Sequence, residues 1–343
     1  MTNGIKNYLK KDIEFSILIC ITAAVLLISA FAFGTTMYSG RNIQSMAFQI
    51  PEFGFLSLAM MFSNIVGGVD LSIIANANTV AIFTAYIMNG SVVQSSGAGT
   101  ILLAVAVGIA VSLAFGLFNG LIIAKTSAPS LVVTLGTMIL FQGIGMAVTG
   151  GASVGNIAPG YAAFGKAVFC GLPVIFWLFM VISIVLGFIM SNTGFGRRLY
   201  LFGGNPVAAR FSAFNNEKMS ILTFLLTGFL SGLAGLIILS RVNSAKVGYG
   251  DSYLLQTMIV CVIGGISPNG GKGRVRGVVI AIILMQVMSS AFTIMSLSPY
   301  TKKLIWGVML ILVLGLNHTV EVWNHRNELR QSMKTLKAAD SKS

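Results

Sequence analysis

The chain has 343 residues, of which 55% are hydrophobic and 9% are charged, and its mean hydropathy is +0.88. A soluble domain with this composition would expose large apolar surfaces, so the composition excludes a soluble protein and predicts an integral membrane protein. The formal net charge of +13 comes from 22 Lys and Arg against nine Asp and Glu. In a membrane protein this surplus first indicates which loops stay in the cytoplasm, and no nucleic-acid partner is expected.

Ten apolar runs predict an all-α bundle of about ten transmembrane helices. In chain order the runs cover 15–35, 48–66, 71–89, 99–124, 129–148, 172–190, 219–240, 253–265, 277–296 and 303–317. Most have the ~20 residues that a helix needs to cross a bilayer. The run at 253–265 is short for a full span and also fits a broken or re-entrant segment. Together the runs make one transmembrane domain over 15–317.

The basic residues are distributed unevenly between the two sides of these spans. With the N-terminus in the cytoplasm, 16 of the 22 Lys and Arg fall on the inner side and six on the outer side. Because basic loops stay in the cytoplasm, this bias predicts ten spans with both termini inside. Residues 1–14 are then a cytoplasmic N-terminal segment, and 318–343 are a basic cytoplasmic tail that is solvated or touches membrane lipid.

Two long segments rich in small residues fall on the outer side of the predicted membrane. They run over 149–171 and 241–252. Such segments can receive a partner protein or can simply be linkers, and the sequence leaves both interpretations open.

Small residues recur at four-residue intervals in the predicted fourth span. They are Gly108, Ser112, Gly116 and Gly120. This spacing puts them on one stripe of a helix, where a neighbouring backbone can approach closely. Gly228 and Gly232 show the same four-residue spacing in the seventh span. The pattern predicts tight helix packing rather than a binding site.

The stretch GGVDLSIIANANTVAIF, residues 67–83, places polar side chains in an apolar neighbourhood. Asp70 or Ser72 can cap the third helix after the Gly-Gly break, or they can belong to a solute pathway. Spacings of three and four put several of the following residues on one helix stripe. The candidate pathway residues are Asn64, Asp70, Ser72, Asn76, Thr79 and Phe83. Asn76 can instead be a hydrogen-bond donor between helices, and Asn78 points away from it.

The predicted spans carry no recognisable catalytic chemistry. The two histidines, His318 and His325, lie at or beyond the last span, and no zinc-protease motif or nucleophile elbow occurs. The Gly-rich stretch at 264–273 has the wrong spacing for a phosphate-binding loop. Asp70 is the one carboxylate close to the interior of the bundle, whereas ion-coupled carriers usually bury several. We therefore expect no enzyme, no catalytic residue, no metal and no cofactor bound by this chain, with an ion-coupled secondary carrier as the alternative to an energy source on another chain.

The connection 191–218 is the longest one on the predicted inner side, and it contains GGNPVAARFS at 203–212. Asn205 is a candidate N-cap, and Pro206 suits the first turn of a helix. The residues that follow give a short helix with an apolar side. Such a helix at the cytoplasmic face is a surface to which a moving partner protein can bind.

This connection resembles the GGNP-x-AAR-x-S-G segment of the sugar-type ABC transporter permeases, the branch that includes ribose, xylose, arabinose and galactose permeases. Three further stretches match in the same order: GGVDLS at 67–72, LVVTLGTMILFQGIGMAVTGG at 131–151 and VIGGISPNGGKGRVRG at 262–277. Any one of them is a weak signal, but four in order over about 55–316 are specific.

The resemblance implies a transport subunit of a binding-protein-dependent importer in a bacterial inner membrane. Two permease chains, identical or paired with a sister chain, would form the pathway between two cytoplasmic ATPase subunits, which would hold ATP and Mg. An extracytoplasmic solute-binding protein would deliver the solute. The surface that couples to the ATPase would contain Gly203, Gly204, Asn205, Pro206, Ala208, Ala209, Arg210, Phe211 and Ser212.

The chain departs from this family pattern at three places. The changed residues are Ile73, Ile74 and Ala75 in place of the usual Val-Gly-Ser, Leu254 and Gln256 where acidic residues are common, and Ala213 in place of a glycine. The first two departures lie in membrane-facing or outer regions and bear on the solute, which can be a sugar, a nucleoside, a polyol or a signalling sugar derivative. The third is conservative, so coupling is expected to be intact.

Overall fold

The computed structural model describes residues 13–93, 97–126, 128–211, 215–315 and 319. In chain order the helices are α1 (Ile13–Met37), α2 (Gly40–Ile65), α3 (Ile73–Met88), α4 (Ala98–Thr126), α5 (Ser130–Thr149), α6 (Pro159–Lys166), α7 (Val174–Asn192), α8 (Gly194–Gly204), α9 (Pro206–Phe211), α10 (Asn216–Val242), α11 (Ser252–Ile263) and α12 (Val275–Ile294). Residues 299–315 form a further helix, α13. The predicted all-α class is confirmed for the part of the chain that is described.

Four strands of two residues each complete the regular structure of these residues. They are β1 (Val154–Gly155), β2 (Val168–Phe169), β3 (Leu172–Pro173) and β4 (Ser244–Ala245). β1 pairs antiparallel with β4, and β2 pairs antiparallel with β3. Helices α1 to α12 belong to one compact unit that ends at Leu297, and α13 belongs to a second unit that begins at Ser298.

Seven of the described helices are long and apolar enough to cross a membrane: α1, α2, α4, α5, α7, α10 and α12. The apolar helices α3 and α11 are shorter, and α11 has 12 residues. At 1.5 Å per residue α11 is ~18 Å long, which is less than the ~30 Å of a bilayer core. The prediction of a multi-span helical membrane protein is therefore confirmed, and the short run that we noted at 253–265 forms an apolar helix that is shorter than the long spans.

The start of α2 differs from the apolar run that predicted it. The run begins at 48, whereas the helix begins at Gly40. The Ser39 hydroxyl caps this earlier start by accepting a hydrogen bond from the Asn42 amide at 3.3 Å, and the Asn42 side chain donates to the Met37 carbonyl at 2.7 Å. Polar residues of the first turns lower the hydropathy there, so composition alone placed the boundary too late.

Large apolar side chains remain exposed along several of the spanning helices. On α1 Phe31 is 90% exposed, and α4, α5 and α7 carry others such as Leu102, Ile139 and Phe188. A water-soluble protein would not leave such side chains uncovered on four helices. These faces have the chemistry of lipid-contacting surfaces.

Helix α10 lies at the centre of the first unit. It packs most extensively against α4 and also contacts α2, α3 and α6. A Cβ atom on Gly116 would come within 2.5 Å of the Phe224 carbonyl oxygen, and one on Gly228 within 2.6 Å of the Ser112 carbonyl oxygen. The predicted small-residue stripe is therefore confirmed as a backbone-to-backbone contact.

The two ends of α10 define two ends of the first unit. At its start, the Asn216 side chain donates to the Pro206 carbonyl of α9 at 2.8 Å. At its other end the chain continues into β4, whose pairing with β1 joins the two segments at 149–171 and 241–252. The 27 residues of α10 correspond to ~40 Å. We call these regions the α9 end and the β4 end.

Replacing Gly116 by Ala should destabilise the protein by roughly 1–3 kcal/mol, because the new methyl group has to displace the α10 backbone. Gly143→Ala is the matched control, since that glycine is also helical but has no atom within 4 Å of its added Cβ. The measurement is the midpoint temperature of heat-induced aggregation in detergent. Equal midpoints for the two variants would show that α4 and α10 can separate without cost.

Candidate functional site

Residues 203–211, which the resemblance predicts to couple to an ATPase, contain the predicted short helix, and we call them the coupling segment after that prediction. The Asn205 side-chain oxygen accepts a hydrogen bond from the Ala208 amide at 2.9 Å, and the Asn205 carbonyl accepts from the Ala209 amide at 3.0 Å. Pro206 is the first residue of α9. The predicted N-cap and the predicted proline position are both confirmed, and they explain why a helix restarts directly after Gly204.

The exposed surface of α9 combines apolar groups with a positive charge. Val207 is 66% exposed and Phe211 is 89% exposed, whereas Ala209 is buried against the rest of the unit. Arg210 is also exposed and lies between them in the sequence. Ser212, the last residue of the predicted coupling surface, lies outside the described residues. An exposed phenylalanine beside an arginine is typical of a protein contact surface.

Three glycine-containing segments meet behind α9. The Gly271 amide donates to the Ile65 carbonyl at 2.8 Å, and a Cβ atom on Gly203 would overlap that same carbonyl. A Cβ atom on Gly270 would lie 2.6 Å from the Gly203 oxygen and 2.7 Å from the Gly67 nitrogen. We call Gly67, Gly203, Gly270 and Gly271 the glycine junction. It joins the coupling segment, the end of α2 and the connection between α11 and α12 without intervening side chains.

Tyr200 adds a side-chain bond to this junction. Its hydroxyl donates to the Gly273 carbonyl at 2.7 Å. Burial raises the pKa of the Tyr200 hydroxyl, and the nearby charge of Arg274 opposes this effect only in part. The hydroxyl is therefore protonated at physiological pH and remains a donor.

Asp70 lies in the turn between α2 and α3 and is buried. One of its oxygens accepts from the Ser72 amide at 3.0 Å and from the Ser72 hydroxyl at 2.6 Å. Its other oxygen accepts from the Thr227 hydroxyl of α10 at 2.8 Å. The Asn119 side chain of α4 donates to the Ser72 hydroxyl at 2.8 Å. The Asp70 turn is therefore fastened to two other helices.

The expected helix cap at this turn takes a different form. Ser72 occupies the N-cap position of α3, but its side chain makes no capping bond. The Ser72 backbone is already helical, with φ −79° and ψ −9°, and its hydroxyl donates to Asp70 and accepts from the Asn119 side chain. Asp70 satisfies the amide of Ser72 itself, so the aspartate organises the turn that precedes the helix.

Two hydroxyls on α5 complete the turn, and the sequence analysis did not identify them. Ser130 accepts from the Val69 amide at 3.0 Å, and Thr134 accepts from the Leu71 amide at 3.1 Å. Their spacing of four residues puts them on one helix face. That spacing was a signal in the sequence, but nothing local indicated which backbone the face would contact.

The six candidate pathway residues do not converge on one surface. Asp70 and Ser72 touch each other, whereas the Asn76 amide is 3.5 Å from the carbonyls of Ser112 and Gly228 in the packed region between α4 and α10. Thr79 faces α5, where its hydroxyl donates to the Phe141 carbonyl at 2.9 Å. The two remaining candidates lie elsewhere: Asn64 is buried near the end of α2, and Phe83 is half-buried on α3.

A cavity of about 840 Å³ opens at the α9 end. It lies between the turn at Gly67 and Gly68, the start of α5 and the coupling segment. Arg210 and Glu217 contribute opposite charges to its wall, and Ser220 contributes a hydroxyl. The described residues contain no group of three His, Cys, Asp or Glu side chains that could hold a metal ion.

Comparison of the sequence with known proteins identifies its family. Residues 42–314 match the family described as "Branched-chain amino acid transport system / permease component". The chain is 31% identical over 328 residues to the ribose import permease protein RbsC of Haemophilus influenzae, covering 92% of this chain and 95% of that protein. No solved structure matches the chain.

Two further relatives are similar to this chain over most of the length of both proteins. RbsC of Bacillus subtilis is 28% identical over 85% of this chain and 89% of that protein. The L-arabinose transport system permease protein AraH of Escherichia coli is 30% identical over 84% of this chain and 86% of that protein. The chain belongs to this family of ABC transporter permease components. It is a transport subunit and not an enzyme.

Thr227→Val should lower the stability of the folded protein by about 1–3 kcal/mol, because it leaves a buried oxygen of Asp70 without its donor. Thr223→Val is the matched control. That threonine is also fully buried on α10, but its hydroxyl donates only to the Met219 carbonyl of its own helix. Unfolding in mixed micelles with increasing SDS compares the two, and an equal effect would mean that the bond to Asp70 contributes nothing.

Proposed function

We propose that this protein is the membrane subunit of a binding-protein-dependent ABC importer that takes up a sugar or sugar-like solute. The supporting observation is the similarity to ribose and arabinose permeases, which covers 92% and 84% of this chain. The family description names amino acid transport, but the relatives that match over most of their length carry sugar names. ATP and Mg would be bound by a separate ATPase subunit.

The proposed topology has ten spans, with both termini in the cytoplasm of a bacterial cell and the bundle in its inner membrane. The α9 end then faces the cytoplasm. Its connections carry a concentration of basic residues: Lys125, Arg197, Arg198, Arg210, Lys218, Lys272, Arg274 and Arg276. Such a concentration is typical of cytoplasmic loops. Helix α13 and the short α3 and α11 would account for the three spans beyond the seven long ones.

Helix α9 is the proposed contact with the ATPase. Its exposed Val207 and Phe211 give an apolar surface of the kind that enters a groove of a partner. Movement of α9 would be transmitted through the glycine junction, since a Cβ atom on Gly203 would overlap the Ile65 carbonyl and one on Gly270 would lie 2.7 Å from the Gly67 nitrogen, which leaves no room for a compressible side chain. ATP binding would act on transport by favouring one arrangement of this junction over another.

The β4 end is the proposed contact with the solute-binding protein. The pairing of β1 with β4 combines the two long segments into one platform. A pocket of about 500 Å³ opens beside it, with Asn156, Asn243 and the exposed Lys166 in its wall. A second permease chain, identical or a sister, would complete the pathway between these two ends.

The solute class can be tested with the complete importer in proteoliposomes. Uptake of D-ribose or L-arabinose should require ATP, the ATPase subunit and the solute-binding protein, while L-leucine should not be taken up. Uptake driven by an ion gradient without ATP would instead establish a secondary carrier. Uptake of L-leucine alone would contradict the proposed solute class.

Phe211→Ala should abolish most ATP-driven uptake while the protein remains in the membrane, because it removes the largest exposed apolar group of α9. Truncation of a hot-spot side chain weakens a protein interface by about 2 kcal/mol or more, so co-purification of the ATPase should fall as well if Phe211 is such a residue. Phe169→Ala, at an exposed phenylalanine of β2, is the control. Normal uptake by the α9 variant would refute the coupling assignment.

A further inference from the structure

A cavity of about 400 Å³ lies between α4, α6, α7 and α10. Two of its walls are helix stripes, formed by Ile101, Val105 and Ile109 of α4 and by Leu233, Leu236 and Ile237 of α10. Helix α6 contributes Gly160 and Phe164, and α7 contributes Leu178. We call this cavity the apolar groove. It shares no lining residue with the cavity at the α9 end or with the pocket beside β4.

The wall of the apolar groove has almost no hydrogen-bonding side chains. Among the described residues that line it, only Tyr161 has a polar side-chain atom. The Tyr161 hydroxyl already donates to the Leu236 carbonyl at 2.9 Å. Water or a sugar would lose hydrogen bonds on entering such a cavity, whereas a hydrocarbon chain would lose none. The groove therefore fits an apolar occupant.

The apolar groove is continuous with the lipid-contacting surfaces of α4 and α7. Leu102 follows Ile101 of the wall and is exposed, and Val181 lies about one turn beyond Leu178 of the wall and is also exposed. Helices α4, α7 and α10 are three of the helices that are long and apolar enough to cross a membrane. The groove therefore opens where lipid chains are available to enter it.

One end of the apolar groove lies where the membrane meets water. Trp177 directly precedes Leu178, and its ring N–H donates to the Phe169 carbonyl at 3.1 Å. Tryptophan is typical of membrane interfaces. Lys166, two residues beyond Phe164, is exposed and forms no ion pair among the described residues. A lysine there can extend to the level of the lipid headgroups, where its charge suits a phosphate.

The dimensions of the apolar groove suit a thin occupant. Its length along α4, from Ile101 to Ile109, is ~12 Å, which is close to the ~15 Å that one leaflet contributes to the hydrocarbon core. A volume of about 400 Å³ over this length gives a mean cross-section of ~33 Å², whereas an α-helix ~10 Å across needs ~80 Å². A transmembrane helix of a second chain is too thick for this space, and a single acyl chain is not.

We propose that one acyl chain of a membrane phospholipid occupies the apolar groove. The lipid comes from the leaflet at the β4 end, and its headgroup lies on the side of Lys166. The chain lies against α6, the same helix that borders the pocket beside β4 with Lys166. This proposal requires only that the bundle spans a bilayer, so it does not depend on which solute is transported.

The test fills the apolar groove from two of its own walls. A Cβ atom on Gly160 would lie 3.4 Å from Ile101 Cδ1, so Gly160→Leu places a side chain in the space that the acyl chain would use. Val105→Phe does the same from α4. Gly143→Leu is the matched control, because Gly143 is exposed on α5 and has no atom within 4 Å of its added Cβ.

The measurement is photo-labelling by a lipid probe. The protein is reconstituted in vesicles of equal parts phosphatidylethanolamine and phosphatidylglycerol, with a trace of phosphatidylglycerol that carries a diazirine on one acyl chain. It is then extracted into probe-free detergent and illuminated, and labelled peptides are identified by mass spectrometry. Label should persist in residues 101–109 and 233–237 of the wild type and of Gly143→Leu. It should fall about 5-fold or more in Gly160→Leu and Val105→Phe, because the new side chain and the acyl chain compete for one volume.

Three results would overturn the proposal. Equal loss of label from the groove segments and from the exposed face around Ile139 on extraction of the wild type would show ordinary bilayer lipid. Label that persists in both filling variants would show that the retained lipid lies elsewhere. Cross-links between two permease chains through residues 101–109, without lipid label, would assign the groove to chain pairing. Size-exclusion elution at the wild-type volume checks that the variants are folded, and the wild-type result decides lipid retention without them.

Discussion

The close approach of α4 and α10 is the constraint on which the rest of the bundle depends. Helices in lipid gain little from burying apolar surface, so their association relies on packing and on hydrogen bonds between helices. Gly116 and Gly228 remove the side chains that would hold the two backbones apart. The same approach brings Asn119 of α4 and Thr227 of α10 to the Asp70 turn from two sides. The packing of α4 against α10 and the hydrogen bonds of the Asp70 turn therefore depend on each other.

The two ends of the first unit are connected through the same helices. Helix α2 carries Glu52, which accepts hydrogen bonds from Arg241 of α10 and from the Tyr253 hydroxyl, towards the β4 end and leads to the glycine junction at the α9 end. Helix α11 begins at Ser252, contains Tyr253 in its first turn and is followed by the connection that contains Gly270 and Gly271. A displacement at the coupling segment would therefore meet backbone atoms at the ends of α2 and α11, the helices that carry Glu52 and Tyr253. In a close-packed interior such contacts transmit displacement because they cannot compress.

The features that the sequence predicted correctly depend on neighbours in the chain. An apolar run of ~20 residues predicts a helix, because the backbone in lipid has to satisfy its own hydrogen bonds. The Asn205 cap was predictable for the same kind of reason, since its bond to Ala208 spans three residues. The start of α2 was missed because the residues that cap it are polar and lower the local hydropathy.

The candidate site could be predicted only in part, because its decisive bonds join distant residues. Thr227 is 157 positions from Asp70, and Arg241 is 189 positions from Glu52. Asn76 was selected by its helix stripe, but that stripe divides between different neighbours once α3 is packed. The sequence by itself determined the class of protein, most of the helices and the short helix that begins at Pro206, because composition and local hydrogen bonding specify these. Only the tertiary structure decided which polar groups meet, because side-chain partners across helices depend on how the backbones approach each other.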